Sequence, residues 1–153
     1  MSAIENSDQF WAEPAPVVAG VATADWWRRF AALVIDVAIM WIPLMFATRD
    51  MNRFAGFFVG VAVGVTYFAL LNGGRKGQTL GKMVWDIRVR DAATGGPLGP
   101  AKAAIRYLAP TLVLLIPILG LFLWVADGVS PLWDRRRQAV HDKLAGSVVM
   151  SAR

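Results

Sequence analysis

The 153-residue chain has no cysteine. That excludes a disulfide framework, a thiolate zinc or iron–sulfur site and a redox pair. It has one histidine, His141, and a lone imidazole without ligand companions builds neither a metal site nor a catalytic triad. Charge is scarce too: 18% of residues are charged against 56% hydrophobic, and the mean hydropathy is +0.47. An ordinary soluble domain is less apolar than this, so the composition points to a membrane protein. A chain this short has no room for a large soluble catalytic domain beside its membrane segments, so no enzyme activity and no cofactor are expected. Sixteen Lys and Arg face eleven acids. In a membrane chain such an excess marks loops on the cytoplasmic side, so nucleic acid is not expected as a partner.

Residues 1–24 carry Glu5, Asp8, Glu13 and the run Pro14-Ala15-Pro16. No basic stretch precedes an apolar one, so a flexible N-terminal tail is expected here and not a cleaved signal peptide. From Phe30 the sequence FAALVIDVAIMWIPLMFA runs to Ala47, near the ~20 residues needed to cross a bilayer, with Asp36 as its one charge. Trp26, Trp27, Arg28 and Arg29 stand just before it, the indoles and cations expected at headgroup level on the cytoplasmic face. A second apolar run, residues 54–72, follows a short loop and is long enough to return. The two segments, about 30–48 and 54–72, are expected as an antiparallel transmembrane hairpin.

Residues 73–102 are polar and basic and read as an inner-face loop. Met83, Trp85, Ile87 and Val89 alternate with Asp86, Arg88 and Arg90, the period-two pattern of a strand with one apolar face set against the membrane surface. Thr94-Gly95-Gly96-Pro97 reads as a turn. Residues 103–134 read either as one crossing or as two shorter helices, about 103–118 and 119–134, broken near Pro117 to Gly120. A single crossing would leave Arg49, Arg53, Arg135, Arg136, Arg137, Lys143 and Arg153 outside, seven of the sixteen basic residues; a hairpin leaves only the first two. The positive-inside rule selects the hairpin, each half short for a span or re-entrant. The resulting expectation is an all-α membrane protein of two antiparallel transmembrane hairpins with a small cytoplasmic β-like loop. Both termini are cytoplasmic in this reading. The tail after Arg135 should hold a helix within Gln138 to Leu144 and an extended piece at Val148 to Met150.

Asp36 is the strongest single signal, since a carboxylate deep in a membrane helix costs about 2.5–3.5 kcal/mol. Arg29 lies seven residues earlier on the same helical face, and Arg106 and Asp127 are further candidate partners. The functional reading is a proton or cation site or a salt-bridge gate; the structural one is an ion pair that fixes helix packing. Gly56, Gly60 and Gly64 recur at spacing four, a close-packing face used within the chain or, second, by a homodimer. The loop Gly74-Arg75-Lys76-Gly77-Gln78-Thr79-Leu80-Gly81-Lys82 fails as a nucleotide-binding loop, because Lys76 stands where glycine is needed and Met83 follows Gly81-Lys82. Its glycines and cations suit a tight turn or a lipid phosphate. His141 beside Asp142 reads as a helix-surface or capping residue, and Arg135-Arg136-Arg137 as a stop to translocation that meets anionic lipid.

Arg28-Arg29-Phe30-Ala31-Ala32 with Asp36, Gly77-Gln78-Thr79-Leu80-Gly81-Lys82, Ile87-Arg88-Val89, Arg106-Tyr107-Leu108 and Arg136-Arg137-Gln138-Ala139-Val140-His141-Asp142-Lys143-Leu144-Ala145-Gly146 occur together. This combination resembles the RDD family of small integral membrane proteins, over about residues 25–150. The resemblance carries the arginine of the family's name to Arg29 and one aspartate to Asp36. The other aspartate maps to Asp142, with Asp127 and Asp134 as alternates. Ser147 stands where the family often has threonine. Transport is the activity that the resemblance suggests, with cation/proton antiport in some members; a transporter of this size is expected to be an oligomer, because one chain offers few helices for alternating access. The competing expectation is a non-catalytic adaptor or assembly protein whose partners are the lipid bilayer, anionic lipid at the basic inner face, and a second copy or another membrane protein.

Overall fold

The computed structural model describes residues 22–152. The expected tail lies outside them except for residues 22–24, which are not tail. Ala24 N–H donates to the Val149 carbonyl at 3.0 Å and Ser151 N–H to the Ala22 carbonyl at 3.0 Å, so this stretch is tied to the C-terminal strand.

Helix α1 runs Trp26–Thr48 and α2 runs Arg53–Gly73. At 1.5 Å per residue they are about 34 and 31 Å long, the thickness of a hydrocarbon core. Both are long and apolar enough to cross a membrane. Their side chains agree, since Trp41, Phe46, Phe54 and Phe58 are all more than half exposed, a surface that water does not favour. Asn52 caps α2 by accepting from Ala55 N–H at 2.9 Å. The chain folds back on itself after the short link. A Cβ at Gly56 would sit 3.6 Å from Thr48 and one at Gly60 3.3 Å from Leu44, while Tyr67 reaches Asp36.

A short helix, α3 (Leu80–Val84), leads into strand β1 (Ile87–Asp91). Here the expected strand is corrected: Met83 belongs to a helix and Trp85 to its C-cap. Thr79 caps that helix by accepting from Lys82 N–H, which overrides the alternation further along. Trp85 then packs edge-on against Trp27, with ring centroids 4.7 Å apart. Ile87 and Val89 turn inward and Arg88 and Arg90 outward, as the alternation requires. Asp91 closes the following turn through its Oδ1, which accepts from Ala93 and Thr94 N–H.

Helix α4 (Pro100–Val113) starts with proline in its first turn and α5 (Leu119–Val129) follows a break at residues 114–118. Lengths of about 21 and 17 Å fall short of a full span. A 3-10 turn, Ser130–Leu132, leads to α6 (Val140–Leu144) and β2 (Ser147–Ser151). Strands β1 and β2 pair antiparallel with Val89 opposite Val149, so the molecule is mostly helical with one small sheet. Ile87, Val89 and Val149 join Ala24, Ala32, Leu98 and Ala103 in the apolar core, which sits where the sheet meets α1 and α4.

Candidate functional site

Beside that core lies a buried ionic cluster drawn from α1, α2, α3, α4 and α6. Its centre is Asp142, in the first turn of α6 and fully buried. One carboxylate oxygen meets Arg29 Nη1 at 3.1 Å and the other meets Arg106 Nη2 at 2.7 Å. Ala139 N–H and the Ser147 hydroxyl also donate to it. Burial alone would raise the Asp142 carboxyl, but Arg106, His141, Arg29 and the Ala139 amide outweigh it and hold it below the usual carboxylate range. Arg29 also donates through Nε to the Ala24 carbonyl and through Nη2 to the Val149 carbonyl, joining the start of α1 to β2.

Asp36, 1% exposed, does not meet Arg29 as spacing suggested, nor Arg106 or Asp127. Its partners come from α2 and from the loop that starts α3. Tyr67 donates to Oδ1 at 2.8 Å, Gly81 N–H donates to Oδ1 at 2.8 Å and the Thr79 hydroxyl donates to Oδ2 at 2.5 Å. Gly81 can come this close because it has no Cβ, which would run into the Ala32 carbonyl. Gly77 adopts φ +64° with its α-carbon against Val89, so the 77–82 loop is a tight turn fixed on both sides.

Lys82 is buried with its ammonium on the Asn72 side-chain oxygen. Burial and then the nearby Arg106 charge push it down to about 7, against weaker pulls upward from Asp36 and Asp142. His141 sits with Nδ1 on Asp127 and Nε2 3.5 Å from Asp142, and Asp127 also accepts from the His141 N–H at 2.9 Å. Asp134 is elsewhere, accepting from the Arg136 and Gln138 amides and pairing with Lys143. Of the three aspartates that the family resemblance left open for its second aspartate, Asp142 is the one in contact with Arg29.

The spacing-four glycines divide between two neighbours. Gly56 and Gly60 face α1, and Gly64 lies against the Tyr107 ring of α4. Sequence reasoning did not assign Tyr67, Asn72, Gln138 or Ser147 to the cluster. The available signal was polarity in an apolar helix, for Tyr67 and Asn72; Gln138, which donates to the Ser147 carbonyl at 2.7 Å, offered none.

Asp36, Asn72, Lys82, Arg106, His141 and Asp142 form the polar end of a cavity of about 700 Å³ between α1, α2, α4 and α5, whose other walls are apolar. Among the described residues no group of three His, Cys, Asp or Glu is placed to hold a metal ion.

These features define a small, mostly helical protein with membrane-type helices locked to a compact polar cap by a buried Arg–Asp cluster. The sequence profile of the RDD family matches residues 23–146, and the chain belongs to that family. It is 35% identical over 77 residues to the proline-rich antigen of Mycobacterium leprae (strain TN), a stretch covering 50% of this chain and 28% of that protein. It is likewise 35% identical over 75 residues to a proline-rich antigen homolog of Mycobacterium tuberculosis (strain CDC 1551 / Oshkosh), covering 49% and 28%. The matched region thus spans under a third of the curated relatives' length. No solved structure matches the chain significantly.

Proposed function

We propose that the chain is a non-catalytic multi-pass membrane protein that serves as a scaffold, with α1 and α2 crossing as one hairpin and α4 and α5 entering as a second, shorter one. Both termini and the β1–β2 cap lie on the cytoplasmic side in this reading, supported by the distribution of basic residues. Arg75, Lys76, Arg135 and Arg136 then face anionic headgroups, and the cap meets a second copy or another membrane protein.

The observation that carries the scaffold reading is the engagement of both Asp36 oxygens by donors within the chain. Three donors of the same chain occupy its two oxygens. A cation would have to displace them, whereas a packing element needs them where they are. Asp142 works the same way between two arginines.

A second reading, transport of protons or small cations through Asp36, draws on one observation: Asp36 and Lys82 border the same cavity. Proton and cation flux in proteoliposomes separates the two. The scaffold reading expects no flux from wild type, and from Asp36→Asn only a lower melting temperature. Wild-type flux that disappears in a folded Asp36→Asn protein establishes the transporter.

A further inference from the structure

Among the described residues, the buried side-chain nitrogens and oxygens left without a hydrogen-bond partner are all donors. Asp36 already accepts from Tyr67, Thr79 and Gly81, and Asp142 from Arg29, Arg106, Ala139 and Ser147. The donors are not used up. Arg106 lines the cavity and is nine-tenths buried, and its Nη1, enclosed by protein, has no hydrogen-bond partner among the described residues, so a small shift of the side chain would offer it to an acceptor in the cavity. Lys82 carries three ammonium hydrogens and places Nζ on one acceptor, Asn72. A buried guanidinium nitrogen left unpaired is costly, so the site favours something that supplies an acceptor.

The rest of the cavity restricts what that acceptor belongs to. Beyond Arg106 and Lys82 the walls are Leu44, Phe57, Val61, Phe68, Leu114 and Trp124, which run from the cap side toward the α1–α2 link. The apolar walls offer water few hydrogen-bond partners, and a free inorganic anion would leave most of them without contact. An occupant with an anionic head and a hydrocarbon tail matches both ends.

We propose that the cavity between α1, α2, α4 and α5 binds one anionic phospholipid, its phosphate on Arg106 and Lys82 and an acyl chain along Leu44, Phe57 and Val61. This goes beyond the scaffold reading and does not depend on it. The lipid sits inside the helix assembly, distinct from headgroups gathered by exposed cations on the inner face. Burial and the Arg106 charge push Lys82 down to about 7, with Asp36, Asp142 and Arg29 also in range, and a phosphate beside it would favour its charged form.

Native mass spectrometry of the full chain in mild detergent tests this, with phosphatidylglycerol, phosphatidylcholine of the same acyl chains, and glycerol phosphate as probes. The expected result is a one-to-one phosphatidylglycerol adduct, preferred over phosphatidylcholine by about tenfold, because the choline cation of the latter is repelled by Arg106 and Lys82 beside the shared phosphate. Lys82→Met and Arg106→Gln should abolish the preference, and Val61→Trp, which fills the apolar end, should abolish retention of either lipid. Arg75→Gln with Arg135→Gln, on the exposed face, should leave the adduct intact. If Arg106→Gln fails to fold because Asp142 loses a partner, Lys82→Met and Val61→Trp still decide. Equal retention of the two lipids by wild type, an adduct unchanged in Lys82→Met and Val61→Trp, or loss of the adduct in the Arg75/Arg135 variant overturns the proposal. Glycerol phosphate bound as tightly as the lipid also overturns it, because the apolar walls would then contribute nothing.

Discussion

Arg29 Nη1 and Asp142 Oδ2 meet at 3.1 Å although 113 positions separate them in the chain. The contact ties the first turns of α1, a helix apolar enough to enter a membrane, to the small helix α6 that precedes the last strand. Asp142 is shared with Arg106 of α4, so one carboxylate holds three helices together. An ion pair this deeply buried is no evidence of net stability over an apolar alternative, but removing one partner strands the others in a low-dielectric interior.

That asymmetry gives the first prediction. Asp142→Asn leaves two buried guanidinium groups without their counter-charge and should destabilise the protein by about 3–5 kcal/mol. Asp50→Asn breaks the Arg49–Asp50 pair, whose side chains are 70% and 86% exposed, and should change stability by less than about 0.5 kcal/mol. Thermal melting of the two variants in the same detergent checks the contrast. Equal shifts would mean that Asp142 is not the clamp.

The glycine row makes a prediction that is graded along a single helix. Gly64→Ala drives a Cβ into the Tyr107 ring, and the overpacking should cost about 1–3 kcal/mol. Gly56→Ala meets Thr48 at an ordinary 3.6 Å and should be neutral or stabilising by up to about 1 kcal/mol, since alanine is the better helix former. A homodimer face would respond differently. Gly56→Ala would then lower the dimer fraction seen by crosslinking while Gly64→Ala left it alone.

Lys82 sets a pH dependence whose sign is fixed. Its folded value, about 7, lies below the ordinary 10.5, so between these limits the unfolded chain binds more protons than the folded one. Stability should therefore rise as pH increases from about 7 toward 10. Below about pH 7 the full penalty of burying the charged ammonium is present. At the acid end Asp142, Asp91 and Asp134, all held below the usual carboxylate range, add a separate loss as they take up protons. Melting temperature against pH should show the alkaline rise in wild type and a flat profile there in Lys82→Met. A wild-type profile that is flat or falls from pH 7 to 9 would place Lys82 in a wetter site.

The two long helices were legible because a run of some twenty apolar residues is a one-dimensional signal that needs no partner to interpret. Helix α1 begins four residues before the apolar run, since Trp26 and Arg29 are helical for tertiary reasons: Trp26 Nε1 bonds the Gly128 carbonyl and Arg29 bonds Asp142. The strand at 87–91 was legible from Ile87 and Val89, but Met83 and Trp85 continued the same alternation by coincidence and were overruled by the Thr79 cap. Within the site, Asp36 could be singled out as charge in an apolar helix, and Arg29 and Asp142 through the family resemblance, yet their pairing could not. Spacing along α1 placed Arg29 and Asp36 on one face, and only the fold brings Thr79 and Gly81, more than forty positions on, to Asp36 instead.

The membrane arrangement yields the sharpest test because the chain has no native cysteine. Single cysteines can be placed at exposed positions without background. In the two-hairpin arrangement Asp50→Cys, in the α1–α2 link, should react with a membrane-impermeant maleimide added to intact cells. Arg135→Cys and Lys76→Cys should react only after the cells are opened. Helices α4 and α5 are each too short to cross a hydrocarbon core of about 30 Å alone, so a single continuous crossing would require the break at residues 114–118 to straighten. In that case Arg135→Cys would be labelled from outside while Lys76→Cys stayed protected. The outcome at residue 135 therefore fixes whether Asp142 and Arg29, which touch in the folded protein, can lie on the same side of the bilayer as the loop that holds Asp36.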